Sequence, residues 1–270
     1  MKKNVKLTAL ALFSTLALTG VMAANSVSAD TVDPQTTPAV ETGHAYVTFT
    51  RNSTTGPLNP GKPGEGETET PTNETGALTL DAIPTSLNFG TQEASATNTV
   101  INLLASTDND RGISPAGPAT TDVNDGTERV VYTQVTNLLP AEVTTVDGTK
   151  TSTPVNWNLS AQLSGFTTDT GAESLKGASI VMKSGVNQKL SDDGAAWIAP
   201  TSATLSDNIV LSAGGDAVSY ASGDENGILQ QVWNTKNVTL NVPTSAQTIG
   251  NSTATVTWTL TATPTHTANN

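Results

Sequence analysis

Four tryptophans are the residues of this chain best equipped for chemistry, and that chemistry is stacking. Trp157, Trp197, Trp233 and Trp258 are the whole indole complement of 270 residues. An indole face can cover the apolar side of a sugar ring or anchor a partner, and each side chain offers ~150–250 Å² of surface for burial. Two of the four share a triplet, Trp157-Asn158-Leu159 and Trp258-Thr259-Leu260, spaced 101 residues apart. Each triplet lies in a strictly alternating run. Val155, Trp157, Leu159, Ala161 and Leu163 alternate with Asn156, Asn158, Ser160 and Gln162. Ala254, Val256, Trp258, Leu260 and Ala262 alternate with Thr255, Thr257, Thr259 and Thr261. A period of two marks a β-strand with one apolar face, so Trp and Leu of each triplet project from the same side. Two arrangements satisfy this pattern. The triplets can lie on inward faces as core, or the two indoles can sit side by side in an open groove as a platform for sugar rings or a partner.

The other two indoles have weaker contexts. Trp197 lies in a loop-like stretch, Asp192–Pro200, where it can meet a ligand or cap the core. Trp233 alternates with Gln231 and Thr235, so its face is less apolar and partial exposure is expected, with packing at the rim as the alternative.

Catalytic chemistry has little to work with. The two histidines, His44 and His266, lie towards the ends, and there is no cysteine. Neither a Gly-x-Ser-x-Gly nucleophile elbow nor a His-Glu-x-x-His motif is present. A glycosidase needs only two carboxylates, but no pair stands out. The acidic stretches Asp108–Gly112 and Asp122–Glu128 offer oxygen ligands near a glycine. They do not match a twelve-residue helix-loop-helix calcium loop, and they read as solvated turns. The expectation is a non-catalytic protein with no metal and no cofactor.

The elements that position these residues follow from the rest of the chain. Lys2, Lys3 and Lys6 precede an apolar stretch, Leu7 to Val21, and Val27-Ser28-Ala29 has the small-residue pattern of a cleavage site. Residues 1–29 therefore read as a secretory signal peptide. No later stretch approaches the ~20 apolar residues that span a bilayer, and the tail from Thr263 carries neither a hydrophobic segment nor a Leu-Pro-x-Thr-Gly sorting signal. The expected protein is exported, without a membrane span, and released or held non-covalently. Its net charge is −12. Removal of the signal, with three Lys and no acid, leaves 9 basic residues against 24 acidic and a charge of −15. Nucleic-acid binding is disfavoured, because its affinity comes mainly from Lys and Arg on phosphates.

Residues 30–76 read as a flexible N-terminal segment and linker. Within it, residues 45–50 form a short β-like island, and Gly56 to Gly76 is rich in Pro, Glu and Gly. Such a stretch has too little apolar surface to order itself. From Ala77 the chain changes to short β-branched runs punctuated by Asp125-Gly126, Asp147-Gly148, Asp193-Gly194 and Gly214-Gly215. The expectation is an all-β, antiparallel β-sandwich or barrel-like domain over 77–265, or two small β-modules, one around each triplet. Ser106–Thr127 and Lys183–Ser206 read as long loops.

Paired Trp-x-Leu triplets in an exported, cysteine-free, all-β chain resemble the WxL-domain surface proteins of low-GC Gram-positive bacteria. Gly76-Ala77-Leu78-Thr79-Leu80-Asp81-Ala82-Ile83-Pro84 with Leu87-Asn88-Phe89-Gly90 resembles that domain's opening strand and turn, and Thr255–Thr261 resembles its closing strand. The 45–50 island with its linker resembles the family's N-terminal segment. The resemblance implies non-covalent attachment to the cell wall, with peptidoglycan as ligand. It also implies complexes with other WxL proteins and a membrane-anchored WxL-interacting partner. The motif itself carries over to Trp157, Leu159, Trp258 and Leu260. With Trp197 and Trp233, these are the candidate wall- or partner-binding residues.

Overall fold

Alternation in the sequence becomes a run of short strands. The computed structural model describes residues 56–63, 72, 74–104, 113–114, 130–146 and 149–263. All of these belong to one unit, Thr50–Asn270. The expected signal peptide and the 45–50 island lie outside the described residues. First come β1 (Leu78–Ala82), β2 (Thr99–Asn102), β3 (Ile113–Ser114) and β4 (Val130–Asn137). The hairpin β5 (Glu142–Val146) and β6 (Thr149–Thr153) leads to β7 (Asn156–Leu163), β8 (Phe166–Thr168) and β9 (Glu173–Ser174). Then follow β10 (Ser179–Met182), β11 (Val186–Leu190), β12 (Trp197–Ile198), β13 (Thr204–Leu205) and β14 (Ile209–Ser212). The last are β15 (Val218–Gly223), β16 (Gly227–Asn234), β17 (Val238–Val242), β18 (Ser252–Thr253) and β19 (Val256–Thr263). Two 3-10 turns, Thr235–Asn237 and Thr244–Ala246, are the only helical turns among the described residues.

Among the described residues there are five sheets, and three of them supply most of one core. The strand orders of these three are β1-β4-β16-β11-β12 with β3 beside β4, β14-β10-β17-β2, and β13-β15-β7-β19. The first supplies Val131, Val135, Leu229 and Trp233 to the core, the second Ile180, Met182, Leu211 and Leu240, the third Trp157, Leu159, Leu163 and Tyr220. The fold is all-β and antiparallel, and each strand order is open, so the sheets face a shared core without closing into a barrel. Turn chemistry fits the strand ends. Between β14 and β15 Gly214 takes φ +68°, a left-handed value that a Cβ would strain, and Gly215 N–H closes the turn onto Ser212 O at 2.9 Å. Asp193 Oδ1 accepts from Ser191 Oγ at 2.6 Å and from Ala195 N–H at 3.1 Å in the turn joining β11 to β12.

Two stretches of the chain depart from the sequence reading. Lys183–Ser206 is not a long loop, because it holds β11, β12 and β13. These strands are short, and β11 carries Asn187, Gln188 and Lys189, whose side-chain nitrogens find partners in the fold, so no hydrophobic period announces it. Residues 56–60, read as linker, lie against the first sheet. Pro57 and Pro60 are buried, and Leu58 N–H donates to Gln134 Oε1 at 2.8 Å. A proline-rich stretch has little apolar surface of its own, but here the sheet provides polar partners that composition does not disclose.

Candidate functional site

The two Trp-x-Leu triplets are neighbours. Strands β7 and β19 pair antiparallel over eight residues, with Leu159 opposite Leu260, Trp157 opposite Ala262 and Trp258 opposite Ala161. The unit that repeats is therefore Trp-x-Leu-x-Ala, and the pairing has an approximate two-fold axis at the two leucines. Each alanine leaves room for the indole across from it, which is why a small residue follows each Leu by two. Side chains on this face point to the core. Trp157 and Leu159 are each 1% exposed, whereas Trp258 and Leu260 are half-buried. The difference follows from position: β7 lies inside its sheet and β19 is an edge strand.

Tyr220, on β15, joins this face to the first sheet. Its ring meets Trp258 edge-on at 5.8 Å and 77°, and meets Trp233 at 6.1 Å and 57°. Both arrangements suit the aromatic quadrupole better than stacking face to face. Its hydroxyl donates to Thr133 Oγ1 at 3.3 Å, and burial pushes the phenol well above its usual range, so it stays neutral.

Trp233 corrects an expectation. It is 0% exposed, and the polar residues that alternate with it, Gln231 and Thr235, are buried too. Gln231 Nε2 donates to Ser206 O. Both faces of this sheet are covered, so a polar neighbour does not mark solvent. Gly185 lies flat against the Trp233 indole; a Cβ there would come within 2.6 Å of Nε1. Trp197, on β12 at the edge of the same sheet, is half-buried, and its Nε1–H donates to Asn59 O at 3.0 Å. The four indoles are thus spread through the interior and rim and do not form one open platform.

The outward side of β7, β15 and β19 is what sequence reasoning passed over. Ser219, Ser160 and Thr259 lie in one row across the three strands, and Ser222, Asn158 and Thr261 in the next. Thr257 and Gln162 extend the surface. Asn158 Nδ2 donates to Ser219 Oγ, and Gln162 Nε2 to Gly215 O at 3.0 Å. None of the three strands carries a charged residue. The result is a neutral face of hydroxyls and amides on an acidic protein. Its signal was present in the uniform Ser, Thr, Asn and Gln of the alternating positions, which read only as the solvent side.

Charged groups gather elsewhere. A shallow pocket of about 420 Å³ is lined by Lys189, Asp192, Asp224 and Glu225 among others. Glu225 Oε2 accepts from the backbone N–H of Thr201, Ser202 and Ala203 at 2.8, 3.0 and 3.1 Å, and Oε1 from Thr201 Oγ1 at 2.9 Å. Lys189 Nζ is 3.3 Å away. Burial raises the carboxyl pKa, but these donors outweigh it and hold the group down at about 2. The carboxylate anchors the loop at 201–203. Among the described residues no cluster of three His, Cys, Asp or Glu could hold a metal. The acidic stretches at 108–112 and 122–128, and both histidines, lie outside the described residues.

A family model described as a WxL domain, surface cell wall-binding, matches residues 36–264. The chain belongs to the WxL domain family. That family is one of wall-binding surface domains and not of enzymes. No curated protein and no solved structure matches the chain. The two triplets that name the WxL domain lie here on paired neighbouring strands at one side of a sheet, with their apolar side towards the core. Among the described residues no helix is long and apolar enough to cross a membrane.

Proposed function

We propose that this protein is an exported, non-catalytic surface protein held non-covalently on the Gram-positive cell wall by contacts to peptidoglycan. The observation that carries this reading is the neutral hydroxyl and amide face of β7, β15 and β19. Sugar hydroxyls and peptide amides are recognised by such groups through directional hydrogen bonds, without help from net charge. In this reading Trp157 and Leu159 support the face from behind, and Trp258 and Leu260 supply apolar contact at its open edge. Trp233 and Trp197 stiffen the neighbouring sheet.

The test is sedimentation with protein-stripped peptidoglycan. Wild type should pellet with the wall material. Thr257→Glu/Thr259→Glu, which places two charges on exposed positions, should stay in the supernatant, with binding at least tenfold weaker. Equal pelleting of both proteins would remove the face from the site, and a wild type that never pellets would sink the peptidoglycan reading.

A second reading has its own observation. Strand β19 has eight residues and, among the described residues, no strand hydrogen-bonded to its outer edge. Such an edge can add a strand from another chain. In that case other WxL proteins or a membrane-anchored partner hold the protein, and retention is seen on cells that carry the partner but not on purified wall.

A further inference from the structure

A row of buried amides crosses the first sheet. Gln134 on β4, Gln230 on β16 and Gln188 on β11 stand directly opposite one another on adjacent strands. Their exposures are 0%, 0% and 4%. The amides bond head to tail: Gln188 Nε2 donates to Gln230 Oε1 at 2.9 Å, and Gln230 Nε2 to Gln134 Oε1 at 2.8 Å. Gln134 Nε2 donates to Asp81 Oδ2 at 3.0 Å, which sets the direction of the whole row.

Each amide nitrogen has a second hydrogen, and all three go to one stretch of chain. Gln134 Nε2 donates to Gly56 O at 3.1 Å, Gln230 Nε2 to Leu58 O at 2.8 Å and Gln188 Nε2 to Pro60 O at 2.8 Å. Gln134 Oε1 accepts Leu58 N–H, and the Trp197 indole binds the Asn59 carbonyl. Alternate carbonyls of residues 56–60 therefore face the row, as an extended chain requires. Every one of these bonds goes to main-chain atoms of the segment. The buried residues that bring no N–H are Pro57 and Pro60, so no donor is stranded under the segment. The arrangement reads an extended backbone with prolines three apart, and it is indifferent to the side chains between them.

We propose that the Gln134–Gln230–Gln188 row with Trp197 is a peptide-binding site. Its ligand is an extended Pro-x-x-Pro segment of a partner protein, and residues 56–60 are the resident occupant that the partner's segment replaces. Main-chain recognition makes the occupant replaceable, because any chain of the same form offers the same carbonyls. Proline also lowers the entropy lost on binding, since its segment is extended beforehand. The acidic net charge favours a neutral or basic ligand, as the resident itself is, with Lys62 just beyond it. A tethered occupant competes at an effective concentration on the order of millimolar, so the partner must bind more tightly or the resident must be weakened.

The experiment uses the full chain and a labelled synthetic peptide of residues 55–63. Pro57→Ser/Pro60→Ser weakens the resident by adding two N–H groups without acceptors. This variant should bind the peptide saturably and at least tenfold more tightly than wild type, and Gln230→Ala in the same background should abolish binding. The peptide with both prolines changed to Ser should bind at least tenfold more weakly. A folded variant that shows no saturable binding, or binding unaffected by Gln230→Ala, overturns the proposal. If the variant does not fold, wild type decides. Its own Leu58 backbone N–H resonance, which loses Gln134 Oε1 when the resident leaves, should move saturably as unlabelled millimolar peptide displaces the resident. No movement overturns the proposal.

Discussion

At the scale of the residue, packing around one indole sets a sharp constraint. Trp233 is enclosed, and Gly185 is the contact that has no slack. Adding one methyl group at 2.6 Å from Nε1 forces the ring or the backbone to shift. Overpacking of this kind costs ~1–3 kcal/mol in a well-packed core. Gly185→Ala should therefore lower the melting temperature by several degrees, as read by circular dichroism, while an exposed change such as Thr259→Ser leaves it unchanged. An unaltered melting temperature would mean the indole has room that the geometry denies it. The triplet tryptophans were legible as residues of one strand face each, because an apolar and a polar side alternate cleanly there. Their separation into a buried Trp157 and a half-buried Trp258 was not, since it depends on which strand lies at the edge. Trp233 misled for a different reason: Gln231 and Thr235 look like a wet face and are buried polar groups.

At the scale of the element, the start of β16 is tied to the loop before β13 by one carboxylate. Glu225 holds three consecutive backbone N–H groups, of Thr201, Ser202 and Ala203. Its pKa in the fold is about 2 against an ordinary 4.5. A carboxyl depressed in this way stabilises the fold fully above the unfolded value, and the contribution is lost as pH falls through the folded one. Glu225→Gln should lower the melting temperature at pH 7. The gap from wild type should narrow as pH is taken from 4.5 towards 2, and an equal gap at both ends would show that ionisation has no part in it. Elements differ in what made them legible: β4 reads as a strand from its β-branched run and not from its period. β7 and β19 announce themselves by period two, whereas β4 is buried along all eight residues and mixes Val, Tyr, Thr and Gln. β11 is written in polar residues, one of which, Gln188, belongs to the amide row. Where both sides of a sheet are covered, and one is covered by polar groups, hydrophobic periodicity has nothing to report.

At the scale of the whole molecule, charge is kept off the proposed binding face. The acidic residues give a mature charge of −15 under the expected cleavage, yet the hydroxyl and amide face of β7, β15 and β19 has none of them. Anionic wall polymers repel such a chain over a Debye length, ~8 Å at physiological ionic strength. Adhesion through hydrogen bonds should then hold or strengthen as sodium chloride is raised, because salt screens the repulsion and leaves short contacts intact. Pelleting that falls away with salt would point to ion pairing and count against the neutral face.

The pairing of β7 with β19 has a consequence in time. Leu159 and Leu260 face each other across a hundred residues of intervening chain, and the eight-residue ladder they centre on ends at Thr263. Loop-closure entropy must be met before that ladder forms, so contact order makes it a late and slow event. A chain still emerging cannot complete its third sheet, because the last strand to appear is the one that seals the Trp157 face. Under the proposed export, that delay would keep the chain threadable until it has crossed the membrane. The repeated triplet thus acts as a latch whose two halves arrive first and last.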